Sequence, residues 1–159
     1  MDTERTLVIL KPDAVKRDKT EPGLLGKIIV YFLEERLRLV AYKYVKRATK
    51  KQLDNHFPNG EQWVRDMGVR ALGRVKNPAK VFVTNDPQKI GATIIKGCRE
   101  YYLSGPLIAF VLTGENAIQK ARRVLGSALP SKAAKGTIRG DLGEHEKHGS
   151  IAATRNLVH

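Results

Sequence analysis

Two stretches of the chain, Thr6–Leu10 and Leu107–Leu112, are nearly uninterrupted apolar runs bounded by polar residues, Gly or Pro. Strands buried on both faces look like this, so both are expected in the middle of a sheet. Leu39–Lys46 mixes Val, Tyr and Ala with lysines in a looser alternation, the pattern of a strand with one face partly in solvent, and is expected nearer an edge. Between the first of these strands and Leu39, residues Leu24, Leu25, Ile28, Ile29, Phe32 and Leu33 recur at the i, i+3, i+4 spacing that lines one helix face. The spacing predicts a crossover helix over Leu24–Arg36. Glu115–Gly126 repeats it with Ala117, Ile118, Ala121, Val124 and Leu125, then stops at a glycine suited to a helix C-terminus.

The stretch Asp54–Tyr102 is less regular. Trp63, Met67 and Leu72, then Ile90, Ile94 and Ile95, predict two helices with a turn at Asn77–Pro78. From Ser127 to Gly149 periodicity is lost among Gly, Ala, Lys and Pro, which reads as a long functional loop, and Thr154–Val158 again looks like a short strand. This β-α-β-β-α-β order predicts an α/β (α+β) sandwich of ferredoxin-like type, an antiparallel sheet with helices packed on it. A single domain over 1–159 is expected, carrying an extra, mostly helical segment at about 58–100.

Bulk composition narrows the function classes. The 159 residues, 42% hydrophobic, suffice for one buried core. Lysine and arginine number 29 against 16 acidic residues, a net charge of +13. The chain should therefore attract polyanions such as nucleotides, nucleic acid or acidic membrane surfaces, and charge alone does not choose among them. The one cysteine, Cys98, excludes an intramolecular disulfide framework and a multi-cysteine zinc site; its plain reading is a small core residue. The opening MDTERTLVIL combines acidic charges with an apolar stretch far shorter than a membrane span, so no membrane association and a cytoplasmic setting are expected.

Four short segments carry candidate chemistry. Lys11-Pro12-Asp13-Ala14-Val15 follows the first apolar run, where a strand ends and its lysine can meet a phosphate. Gly136-Thr137-Ile138-Arg139-Gly140-Asp141 sets an arginine between glycines, so that backbone approaches a ligand closely while the planar guanidinium binds phosphate oxygens bidentately. On the helix over Glu115–Gly126, Arg122 falls at the margin of the apolar stripe and Arg123 almost opposite it. Arg155-Asn156-Leu157-Val158-His159 brings an amide and an imidazole; neutral imidazole is a competent nucleophile toward phosphorus near neutral pH. Taken singly, these are equally a solvated lysine, a surface turn, an arginine covering the core edge and a frayed terminus.

Together they read differently. TLVILKPDAV, RRVLG, GTIRGD and RNLVH, in this order and separation, closely resemble the nucleoside diphosphate kinase family over most of the chain. The resemblance implies transfer of the γ-phosphate of a nucleoside triphosphate to a nucleoside diphosphate through a phosphohistidine. It puts that histidine at His159, phosphate and ribose contacts at Lys11, triphosphate contacts at Arg122 and Arg139, and a positioning hydrogen bond at Asn156. It implies Mg²⁺ carried with the nucleotide, ATP and other nucleoside di- and triphosphates as partners, and a homo-oligomer, commonly a tetramer or hexamer. The chain departs from the family pattern at several points. Phe57 stands where a tyrosine is usual, Ala128 where a threonine is, and Lys135 where a proline is, while the sequence stops at His159, before a carboxylate that orients the histidine. The base-stacking phenylalanine has no direct counterpart, and Phe57 or Trp63 is expected in its place. These departures and the clusters Lys16-Arg17, Lys46-Arg47 and Lys50-Lys51 motivate an alternative: a catalytically impaired, basic structural subunit that contacts RNA or a nucleoprotein.

Overall fold

The computed structural model describes residues 3–74, 81–144 and 157–158. Three strands, β1 (Thr3–Leu10), β2 (Arg38–Val45) and β3 (Leu107–Glu115), form a sheet in the order β1-β3-β2. Both pairings are antiparallel, with Val8 opposite Phe110 and Tyr42 opposite Phe110 on the other side. β1 and β2 therefore run parallel with β3 between them, the split β-α-β arrangement of a ferredoxin-like sandwich. Val158 makes an antiparallel bridge to Leu10 on the free side of β1, in the place of a fourth strand. Of the predicted strand Thr154–Val158, only Leu157 and Val158 lie among the described residues, and the predicted turn at Asn77–Pro78 lies outside them.

The helices follow from local chemistry. α1 (Pro12–Arg17) opens with proline at its first position, where a missing N–H costs nothing. α2 (Leu24–Glu34) buries Leu24, Ile28 and Phe32 along the predicted face. α3 (Lys50–His56) starts at Thr49, whose hydroxyl accepts from the Gln52 N–H while the Gln52 side chain accepts from the Thr49 N–H, a capping box. α4 (Glu61–Leu72) and α5 (Pro87–Leu103) are the two helices predicted within Asp54–Tyr102. α6 (Ala117–Leu125) buries Ala117, Ala121 and Val124 and ends at Gly126 with φ +74°. A 3-10 turn (Pro130–Lys132) and the short α7 (Ile138–Asp141) give shape to what reads in sequence as a loop.

The pleat assigns the two sheet faces. Val8, Leu10, Phe110 and Leu112 point toward α2 and α6 and close a core with Ile28, Phe32, Ala121 and Val124. Ile9 and Leu107 point the other way and meet Leu53, Phe57, Ile95 and Tyr102 from α3 to α5. This second cover is partial: Leu7 is 56% exposed. The expectation that Thr6–Leu10 is buried on both faces is thus corrected, since α3 and α5 reach only one end of the sheet. β2 is the edge strand, exposed along all but Val45, as its looser alternation predicts.

α4 and α5 touch backbone to backbone. A Cβ on Gly91 would come within 1.9 Å of the Val64 carbonyl oxygen, and one on Gly68 within 1.8 Å of the Pro87 oxygen. Neither obstacle is a flexible side chain, so a methyl group must push the helices apart. Gly91→Ala is expected to cost about 3 kcal/mol, at the upper end for overpacking, and to lower Tm by roughly 6–12 °C for a chain of this size. A thermal melt unchanged by the substitution would contradict the close crossing.

Candidate active site

At the end of β1 the chain turns at Lys11, extended with φ −80° and ψ 168°, and enters α1. This turn buries Lys11 to 5% and Asp13 to 8% exposure. Buried charges are costly unless partnered, so each group's surroundings identify what the site is built for. The Lys11 N–H donates to the Leu157 carbonyl at 2.8 Å, and the Leu157 N–H donates to Asp13 Oδ2 at 3.0 Å. Leu157 is itself fully buried and left-handed, with φ +62°. A non-glycine residue there stores roughly 1–3 kcal/mol of strain, held by the two hydrogen bonds from one motif.

Arg139 grips the same segment from the other side. Its Nη1 donates to the Gly126 carbonyl at 2.9 Å and its Nη2 to the Val158 carbonyl at 2.8 Å. One N–H of each terminal nitrogen is thus used on main chain, and the buried Nε–H has no acceptor among the described residues. Gly126 must be glycine, since a Cβ would stand 2.4 Å from Thr137 Oγ1. The Thr137 hydroxyl in turn accepts from the Gly140 N–H and donates to the Ala134 carbonyl, fixing the start of α7. Asp141 accepts from the Gly136 N–H and from the Tyr31 hydroxyl, tying α7 to α2.

Around Lys11 lie aromatic groups from α5. Its Nζ is 5.0 Å from the centroid of the Tyr101 ring, a cation–π contact. The Tyr101 hydroxyl accepts from the Asp13 N–H at 3.4 Å; its burial and the Asp13 carboxylate beside it raise its pKa far above the ordinary phenol value. Phe57 is 6% exposed, its ring enclosed edge-on by His56 at 4.7 Å and Tyr102 at 5.2 Å. In this arrangement the ring packs as part of the second core cluster. Trp63 is half-buried against the same cluster. Arg122 is exposed on α6, one turn before the Gly126 carbonyl that Arg139 holds. Asn156 and His159 lie outside the described residues.

The electrostatics are those of an anion site. Burial lowers the Lys11 ammonium pKa to about 8, with Asp13 opposing and Arg139 adding to the shift. Burial likewise lowers the pKa of Arg139. Two cations held close together in partial burial are stabilised by a bound polyanion, and phosphate oxygens supply that charge. No three His, Cys, Asp or Glu side chains cluster as metal ligands among the described residues.

Lys11 makes the site pH-sensitive in two opposite ways. The unfolded chain keeps the ordinary lysine value of 10.5, so between about 8 and that value it holds more protons than the folded chain. Ligand-free stability is therefore expected to rise as pH climbs through this window, by an amount of order 3 kcal/mol in all. Affinity for an anion held by the charged amine is expected to fall there, approaching tenfold per pH unit. Melts and binding titrations from pH 7 to pH 10, at about unit steps, check both limbs; parallel trends would exclude Lys11 as the titrating group.

A ferredoxin-like sheet whose first strand ends in a buried lysine, beside an arginine and a strained segment from the chain's last residues, defines a phosphate-binding α/β protein. Comparison with known proteins sharpens this. The family profile described as "Nucleoside diphosphate kinase" matches residues 4–63 and 88–159. A nucleoside diphosphate kinase of Pyrobaculum aerophilum is 38% identical over 145 residues, 89% of this chain and 76% of that protein. One of Thermoplasma acidophilum is 36% identical over 157 residues, covering 99% and 78%. The crystal structure of an NDP kinase from Pyrobaculum aerophilum superposes with a TM-score of 0.84 at 34% identity, over 99% of this chain and 87% of that one. A nucleoside diphosphate kinase from Halobacterium salinarum in complex with CDP gives 0.63 at 26% identity, over 99% and 76%. The chain belongs to the nucleoside diphosphate kinase family, and its activity is nucleotide-dependent phosphoryl transfer.

Proposed function

We propose that transfer proceeds in two steps through His159, with Lys11 and Arg139 at the phosphates. In the first, an imidazole nitrogen attacks the γ-phosphorus of a nucleoside triphosphate, the bond to the β-γ bridging oxygen breaks and the diphosphate departs. In the second, a terminal oxygen of another diphosphate attacks the phosphohistidine and the nitrogen leaves. The observation that carries this reading is the anchoring of Leu157 and Val158, which precede His159 in the chain, by Lys11, Asp13 and Arg139. Lys11 supplies positive charge to the spreading phosphoryl oxygens; Arg139 holds the Val158 carbonyl and turns its Nε–H to the ligand. Arg122 extends the positive charge toward the triphosphate from α6, and Asn156 orients the histidine. Magnesium arrives with the nucleotide, as part of the substrate. The test is incubation with γ-labelled ATP and magnesium: an acid-labile label on the chain, removed by GDP, establishes the two-step path.

The same reading extends to assembly. β2 offers an exposed edge of eight residues, and unpaired edges pair readily with a second copy. A homo-oligomer, of tetramer or hexamer size, with that edge among its contacts fits the fold. Residues 64–87, which the family profile leaves unmatched, support a helical addition carried by one domain. No helix among the described residues is long and apolar enough to cross a membrane; a cytoplasmic setting, where nucleotides are used, accords with the activity. The RNA-binding alternative rests on charge, which attracts any polyanion, and no described feature favours it over the nucleotide.

A further inference from the structure

Tyr102, near the end of α5, is 4% exposed. Its ring is packed edge-on to Phe57 at 5.2 Å and to Tyr101 at 6.1 Å, and lies 5.4 Å from His56. A buried phenol in such a cluster normally finds a hydrogen-bond partner for its oxygen, because leaving one unmade costs roughly 1–3 kcal/mol. The Tyr102 hydroxyl has none among the described residues. Packing alone does not account for it, since phenylalanine would fill the same space without the orphaned oxygen. The charged groups close enough to act on the hydroxyl are Asp13 and Arg139, together with the Cys98 thiol. Asp13 and Arg139 are the residues that hold the terminal segment, and the Arg139 Nε–H is a second buried donor lacking an acceptor. The adjacent residue, Tyr101, contacts Lys11.

Two orphaned buried donors that act on each other electrostatically, one of them also acting on Lys11, suit an acceptor-rich ligand, and a phosphate offers several oxygens at once. We infer that Tyr102 is a substrate-contacting residue, its hydroxyl donating a hydrogen bond to a phosphate oxygen of the bound nucleotide alongside Lys11 and the Arg139 Nε–H. This contact rests on the assignment of Lys11 and Arg139 to the phosphates. It adds a donor from α5, a helix on the opposite sheet face from α2 and α6.

Tyr102→Phe removes only the oxygen and keeps the ring, so it separates the two roles. Without ligand the variant is expected to melt at the same temperature or higher, because an unpaired buried hydroxyl is gone. The rise in melting temperature produced by magnesium and a non-hydrolysable ATP analogue is expected to shrink. kcat/KM for ATP is expected to fall about 10- to 100-fold, as for loss of a hydrogen bond to a charged group. A variant that keeps kcat/KM within about twofold and the full analogue-induced shift overturns the contact. So does one that melts lower without ligand yet responds normally to the analogue, since the hydroxyl would then be structural. If the unaltered chain does not respond to the analogue, the placement of Lys11 and Arg139 fails along with this contact; equal responses of the two chains remove the contact alone.

Discussion

Replacement of His159 by alanine is expected to abolish phosphoryl transfer, lowering kcat by at least about ten-thousandfold, as removal of a covalent nucleophile does. Among the described residues near Lys11, no other side chain is suited to take its place. Tyr101 is buried beside the Asp13 carboxylate and its pKa is driven up, so it holds its proton. The Cys98 thiol is also pushed up by burial and stays protonated. His56 sits in the apolar cluster against Phe57 and Tyr102. The nucleotide pocket should survive the substitution, because Lys11 and Arg139 hold Leu157 and Val158 by main-chain atoms that do not depend on residue 159. The signature is therefore loss of acid-labile label from γ-labelled ATP with ADP binding intact. Persistent label on the alanine variant would move the nucleophile elsewhere.

Arg139→Ala is the second large effect. It strips the guanidinium from two carbonyls at once, Gly126 and Val158, and removes positive charge beside Lys11. Loss of a donor aimed at developing charge costs roughly a hundred- to a thousandfold in kcat, and two carbonyls left half-buried cost a further 1–3 kcal/mol or so of stability. Arg139→Lys separates the contributions. An ammonium restores charge but cannot span both carbonyls, so binding should recover further than kcat. If alanine at this position leaves kcat/KM within about threefold of the unaltered chain, the arginine is a structural clip and nothing more.

The sequence made Lys11 and Arg139 legible because each stands in a short segment whose neighbours have a local reason to be there: a strand end, and a turn that needs glycine. The three strands and the helices α2 and α6 were legible through periodicity over ten or so residues. α1 was not, since six residues beginning at proline are too few to display a helical period. The clamp at Asp13 is not legible in the sequence because its partner, Leu157, is 144 positions away. The packing of Phe57 is not legible either, because a sequence displays an aromatic ring without the two side chains beside it. The burial of Tyr102 is not legible for a related reason: which face of α5 turns inward is set by the glycine crossing with α4, and the periodicity of that segment is irregular. Leu7 was misjudged because an apolar run does not report where the covering helices stop.

The hydrogen bonds at Leu157 join a motif near the beginning of the chain to the last residues described. During synthesis, Lys11 and Asp13 emerge early, and Asp13 waits for a partner made 144 positions later. β1 faces a similar wait for β3, whose pairing residues lie about a hundred positions later. A nascent chain can thus form the helices that precede β3 while β1 and β2 both still lack their shared partner strand. The clamp that bends the chain at the left-handed Leu157 beside Lys11 can therefore form only late in synthesis, so the site around Lys11 is assembled by contacts between distant parts of the sequence.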